Sequence, residues 1–261
     1  MEDYQKKFSE FLADSGALFF KEGLILKDGR PTPYFVNSGK FNTGETNFVL
    51  GEKFAEMLIK KGLFDDVDII FGPSYKGSAI ANGTAIALWV NHRKKVLFDY
   101  DRKESKTHGE SSKKESLLVN KTLFDGCKIF MVDDVWTSGA TKYENIEKIN
   151  KEAEKGGYDV KIVGMGIAVD REQVGPVYDE TKSKDLPNKE RVILDDRGED
   201  AIGSFIKQTK IPVYSIVGIS GAVDQLYNSQ YPLMINDERQ PMNKKTFNDF
   251  KNYMETYGVR R

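Results

Sequence analysis

The chain has 261 residues, 39% of them hydrophobic and 30% charged, enough to bury one substantial core in one large α/β domain or two small ones. With 39 basic residues against 40 acidic, net charge is -1, which excludes a broad nucleic-acid footprint and confines any anion site to a local cluster. A single cysteine, Cys127, excludes an intrachain disulfide and fits a reducing compartment; placed just before an apolar run, it reads as a buried bystander. The opening MEDYQKKFSEF is too polar for a signal peptide, and no apolar run approaches the roughly 20 residues that span a bilayer. The expectation is a cytoplasmic protein.

Tyr4, Phe8, Phe11 and Leu12 recur at helical spacing, and Ser15-Gly16 ends that first helix. LILKDGRPTPYFVN carries a β-rich run on each side of Asp28-Gly29, a hairpin signal. Residues 45–61 read as a helix stopped by Gly62. Short apolar runs then recur at 67–71, 96–100, 128–132, 160–169 and 213–219, with helical stretches at 78–89, 140–155 and 199–209. Strands separated by helices predict a mainly parallel sheet flanked by helices, with ligands beyond the carboxyl ends of the strands. Residues 101–116 carry no apolar side chain and read as an exposed, mobile loop. Residues 171–200 read as a long polar surface excursion, and Phe247, Phe250, Tyr253 and Met254 as a terminal helix over 243–258.

The strongest chemical signal is KIFMVDDVWTSGAT, residues 128–141. An apolar strand ends in Asp133-Asp134, and a small-residue turn opens a helix. Backbone amides and hydroxyls at a helix start cradle phosphate, while two carboxylates accept sugar hydroxyls or help hold a hydrated divalent cation. Together they suit a ribose 5-phosphate. The turn lacks the Gly-Lys-Ser/Thr of a Walker loop. GMGIAV, 164–169, imitates a dinucleotide fingerprint but has Val169 at the third glycine, and reads as core packing.

VDDVWTSGAT resembles the phosphoribosyl pyrophosphate motif of type I phosphoribosyltransferases. Four further segments are similar to the orotate phosphoribosyltransferases among them: LKDGRPTPYFVNSGKFNTG (26–44), FGPSYKG (71–77), DRKESKTHGE (101–110) and AVDREQ (168–173). The likeness runs from the N-terminus to YMETYG, apart from about residues 174–198. It implies the type I phosphoribosyltransferase α/β fold with a small N-terminal hood: a single domain over 1–261, with 1–44 and helix 243–258 at its periphery and 174–198 as a polar insertion. It also implies that Lys27, Tyr75, Lys76 and the run Asp133, Asp134, Val135, Trp136, Thr137, Ser138, Gly139, Ala140 and Thr141 bind phosphoribosyl pyrophosphate. Tyr34, Phe35, Thr137 and Arg171 would bind orotate, a homodimer would form with loop 101–116 acting on the neighbouring site, and magnesium would serve, held mainly by substrate oxygens. Trp136 replaces a smaller aliphatic residue of the family pattern, Ser138 an alanine, and Ser111-Ser112 a glycine pair.

The chemistry gives each motif a reason. Displacing pyrophosphate from C1 of a ribose passes through a cation-like transition state and releases a strongly anionic group. A closing loop with Arg102, Lys103, Lys106 and His108 neutralises that group and excludes water. Two other readings compete: a related transferase acting on another base, such as a purine, and a non-catalytic sensor of phosphoribosyl pyrophosphate. The purine enzyme is not expected to show Arg-Lys-x-x-Lys-x-His, and a sensor has no need of it. A fused orotidylate decarboxylase does not fit the length.

Overall fold

The computed structural model describes residues 1–103, 116–136 and 139–260. In chain order these form α1 (Asp3–Asp14), β1 (Leu18–Ile25), β2 (Pro31–Val36), α2 (Gly44–Lys60), β3 (Ile69–Phe71), α3 (Lys76–His92), β4 (Leu97–Asp99) and β5 (Lys128–Val135). Then come α4 (Ala140–Gly156), β6 (Lys161–Asp170), β7 (Val177–Tyr178), α5 (Asn188–Arg191), β8 (Val192–Ile193) and α6 (Ala201–Thr209). The chain closes with β9 (Val213–Gly218), α7 (Ile219–Asn228), β10 (Leu233–Ile235), β11 (Glu238–Gln240) and α8 (Lys244–Tyr257). No helix among the described residues is long and apolar enough to cross a membrane.

Where the sequence suggests one domain over 1–261, the residue contacts gather in two compact units. The first comprises Met1–Asn42, Val169–Lys207 and Val217–Arg261. Its sheet has the order β11-β10-β1-β2, with the β1–β2 hairpin registered Phe19 opposite Phe35 and Phe20 opposite Tyr34. The apolar stripe of α1 supplies Phe8 and Leu12, fully buried, and α8 supplies Phe250. At the start of α8, Asn243 accepts the Thr246 amide at 2.9 Å, satisfying a donor that has no partner within the helix. The polar excursion is not shapeless. β7 and β8 pair antiparallel, Val177 opposite Ile193, and α5 leads into β8.

The second unit, Thr43–Ala168 with Gln208–Ile216, holds the sheet β4-β3-β5-β6-β9, whose β3 runs parallel to both β4 and β5. β3 is buried along its whole length, as is most of β5, so both read as unbroken apolar runs rather than alternating ones. The glycines of GMGIAV lie inside β6, where a side chain on Gly166 would meet Met57 and Phe130 at 2.8 Å. They are packing glycines, as the sequence reading holds. Cys127 is buried, and that burial pushes its thiol above the usual range.

Helices α2 and α3 touch backbone to backbone. A Cβ on Gly51 would stand 2.3 Å from the Gly83 carbonyl oxygen. In an open helix, Gly→Ala favours folding by about 1 kcal/mol. At this crossing Gly51→Ala is instead expected to destabilise by about 2 kcal/mol, because the helices must part. A urea midpoint that rises or stays put in this variant contradicts the close approach.

Candidate active site

Three neighbouring strands of the second unit, β4, β3 and β5, release their chains at their carboxyl ends, where an open parallel sheet binds ligands. β3 opens into the loop 72–75 ahead of α3, which carries Tyr75 and ends at Lys76. This loop folds on itself so tightly that a Cβ on Gly72 would lie 1.8 Å from the Gly77 carbonyl oxygen. Only glycine fits there. The Ser74–Tyr75 peptide bond is cis, and Tyr75 is 76% exposed.

β4 opens into the polar loop, whose base is pinned on both sides. Asp101 bridges to Leu118, and the Arg102 amide donates to the Leu117 carbonyl at 2.9 Å. The buried Asp99 carboxylate accepts the amides of Asn120 and Thr122, fixing the returning chain. Asp101 then ties the loop base to its neighbour, accepting the Ser74 amide at 2.6 Å while its carbonyl takes the Ser74 hydroxyl. Lys148 of α4 reaches the same carboxylate at 2.5 Å. Burial pushes the Asp101 carboxyl up, but Lys148 and the Ser74 amide outweigh that and hold it below the usual range. Arg102 is half-buried and Lys103 exposed, its ammonium 5.9 Å from the Tyr75 ring centre.

β5 ends in the two acids. Asp133 and Asp134 are each 9% exposed. Lys142, at the third residue of α4, meets Asp133 at 2.5 Å, and Lys76 meets Asp134 at 3.1 Å. Burial pushes the Asp133 carboxyl up, Lys142 opposes it, and Asp134 adds to the rise, for a net upward shift. Val135 donates its amide to Asp134 at 2.8 Å. Trp136 is buried, and Gly139 takes φ +79 just before Ala140 and Thr141 begin α4; a Cβ there would lie 3.0 Å from the Trp136 ring. Among residues expected to bind or act, Lys106, His108, Thr137 and Ser138 lie outside the described residues.

In the first unit, Lys27 is exposed in the β1–β2 turn. Tyr34 and Phe35, expected to line the orotate ring together, occupy opposite faces of β2, because successive strand residues alternate. Tyr34 is fully buried against Phe20, Phe250 and Tyr253, and its hydroxyl accepts from Gln173 at 2.9 Å. Burial drives that hydroxyl far above the normal tyrosine range even though the positive charge of the nearby Arg171 lowers it. Phe35 keeps an open face, 37% exposed. Arg171 directly follows β6 and is half-buried.

The sequence reading misses the lysines of α4 that hold this arrangement together. A lysine inside a helix reads as a solvated charge, and only its distance in space from a strand-end acid reveals Lys142 or Lys148. Asp101 is equally silent, lost at the edge of a polar run.

Residues 49–171 match the family model described as "Phosphoribosyl transferase domain". The orotate phosphoribosyltransferase of Bifidobacterium adolescentis is 41% identical over 169 residues, covering 63% of this chain and 69% of that one. The protein of that name from Agathobacter rectalis is 35% identical over 232 residues, covering 80% and 98%. The crystal structure of the Francisella tularensis orotate phosphoribosyltransferase superimposes with TM-score 0.66 at 25% identity, over 97% of this chain and 100% of that one. Fold and strand-end site thus define a phosphoribosyltransferase. More narrowly, the chain belongs to the orotate phosphoribosyltransferase family.

The ion pair in the floor of the site sets a pH signature. Lys142→Met leaves Asp133 buried without its counter-charge, at an expected cost of about 3 kcal/mol near neutral pH. The folded-state value of Asp133 is already raised, and losing Lys142 raises it further. A carboxyl raised on folding destabilises as pH climbs through that value. The deficit should therefore be widest near pH 7 and shrink as Asp133 protonates on acidification. A deficit in urea midpoint that is the same at about pH 7 and about pH 4.5 contradicts the pairing.

Proposed function

We propose that this chain transfers the 5-phosphoribosyl group of phosphoribosyl pyrophosphate to orotate, giving orotidine 5'-monophosphate and pyrophosphate, a step of pyrimidine nucleotide formation. The observation that carries the proposal is the convergence at three adjacent strand ends: the Asp133-Asp134 pair with its lysines, the glycine-locked loop with Tyr75 and Lys76, and the pinned base of a basic loop. The β5–α4 turn, residues 133–141, takes the ribose 5-phosphate, its acids accepting the ribose hydroxyls and the start of α4 facing the phosphate. Lys27, Tyr75, Lys76, Arg102 and Lys103 serve the pyrophosphate end, joined by Lys106 and His108. Phe35 and Arg171 serve orotate, Phe35 by its open ring face and Arg171 through a planar fork suited to a carboxylate edge; Thr137 belongs with them. Tyr34 contributes from beneath, through Arg171. As the bond from C1 to pyrophosphate breaks, a bond from C1 to the orotate nitrogen forms, the proton on that nitrogen passes to water or the departing pyrophosphate, and the basic groups neutralise the departing charge.

Magnesium suits the hard carboxylate oxygens of Asp133 and Asp134, and the described residues hold no cluster of three or more His, Cys, Asp or Glu able to hold a metal. A hard cation shared by pyrophosphate oxygens and water needs no such cluster. When bound it neutralises charge on the leaving group. The protein acts in the cytoplasm as a homodimer, and its basic loop closes on the partner's site.

With magnesium and phosphoribosyl pyrophosphate supplied, the purified protein should consume orotate and leave adenine, hypoxanthine and uracil untouched, read from absorbance. Turnover of a purine without orotate, or full activity after exhaustive chelation, overturns the reading. Loop exchange is tested by mixing two inactive variants, Lys106→Ala and Asp134→Ala. Random exchange makes half the dimers hybrids with one intact site of two, so about a quarter of wild-type activity should return. If no activity returns although differently tagged chains have exchanged, the loop serves its own subunit.

A further inference from the structure

The polar excursion after Arg171 takes no part in the proposed chemistry, yet it grips one short segment from end to end. Asn188 Nδ2 donates to the Lys27 carbonyl at 3.0 Å, and the Tyr178 hydroxyl donates to the Asp28 carbonyl at 3.2 Å. Gly29, at φ +94, runs so close to α5 that a Cβ would stand 2.6 Å from the Lys189 amide nitrogen and 2.7 Å from the Asn188 carbonyl oxygen. Arg30 closes the grip, donating from Nη1 to the Val174 carbonyl at 2.9 Å while pairing with Asp28 at 2.7 Å. Lys27, Asp28, Gly29 and Arg30 of the β1–β2 turn are thus each engaged by the chain between 174 and 189.

The gripping segment is itself braced. Asp179 donates its amide to the Arg191 carbonyl at 2.8 Å across the β7–β8 ribbon. The Arg191 guanidinium covers the Tyr178 ring at 5.0 Å, and Lys182 donates to the Glu190 carbonyl at 2.6 Å. At its far end, Arg197 donates to the Glu255 carbonyl at 3.2 Å, and the Asp195 amide donates to the Tyr257 hydroxyl at 3.0 Å. A surface loop bound this firmly at both ends is not a passive excursion.

We infer that residues 174–198 form a clamp that fixes the backbone of the Lys27 turn, making Asn188 and Tyr178 positioning residues for phosphoribosyl pyrophosphate. The inference rests on the reading of Lys27 as a contact to that substrate. Lys27 is exposed on a turn containing a glycine at positive φ, the kind of backbone that samples many conformations when unsupported. A cation that must order both backbone and side chain on binding a polyanion loses affinity to that ordering. Hydrogen bonds to the Lys27 and Asp28 carbonyls restrain the backbone beforehand and leave the side chain free to reach. Since the contacts fall on backbone carbonyls, substituting Asn188 or Tyr178 alters the support without altering the ligand-binding group.

The test uses the full chain in steady-state kinetics. Asn188→Ala and Tyr178→Phe should each raise KM for phosphoribosyl pyrophosphate about threefold to tenfold, the scale of one lost hydrogen bond. Turnover and the orotate KM should stay within about twofold. Tyr178→Phe removes one hydroxyl and keeps the ring, so it carries the test even if Asn188→Ala folds poorly. Lys27→Ala should raise the same KM, and adding Asn188→Ala to it should raise it no further, because the clamp acts through Lys27. Fully additive effects, or an equal rise in both substrates' KM, overturn the clamp. If Lys27→Ala alone weakens phosphoribosyl pyrophosphate while both clamp variants are silent, the clamp falls and the Lys27 reading stands. If Lys27→Ala leaves that KM unchanged, the reading of Lys27 fails and the clamp with it.

Discussion

A site for a polyanionic substrate built on buried carboxylates must first neutralise itself. Asp101, Asp133 and Asp134 all stand at strand ends, and each is met by a lysine: Lys148, Lys142 and Lys76. Without those partners the acids would repel phosphate and carry an unscreened desolvation cost. With them, the carboxylates stay at the strand ends while the charge nearby is balanced. Lys76 and Lys142 sit in the first turns of α3 and α4. A cation there opposes the helix dipole, and what offsets it is the acid each one reaches. The arrangement therefore makes sense only as a set.

Much of this frame is legible in the residues. The βα rhythm announces the five strands of the second unit because buried parallel strands are uniformly apolar, and the Asp133-Asp134 pair stands out because it interrupts such a run. What escapes the sequence has physical causes. β10 and β11 are three residues each, too short to show a period. β10 joins the first sheet by lying parallel to β1, a pairing between residues such as Phe19 and Met234 that local patterning does not encode. The split into two units escapes for the same reason, since the first is gathered from three separated stretches of chain.

Tyr34 and Phe35 show that a motif does not fix where individual side chains go. The motif places both on the hairpin, and strand geometry then sends one ring into the core and the other outward. The buried member still accepts a hydrogen bond from Gln173 and feels the charge of Arg171. Exposed and buried side chains alternate along one strand, so motif identity alone does not separate the two.

Helix α4 has one further consequence. Through Lys142 it is fastened to the end of β5, and through Lys148 to the base of the loop after β4, where the ammonium also lies 3.4 Å from the Arg102 carbonyl. These attachments give two strand-end segments one anchor in common, beside the Ser74 amide on Asp101 and Lys76 on Asp134. Transient opening of α4 would remove that common anchor from both segments at once, so their local stabilities are coupled through the helix. Damage far along α4 therefore reaches Asp101 and Asp133 together, without altering any residue at the strand ends themselves.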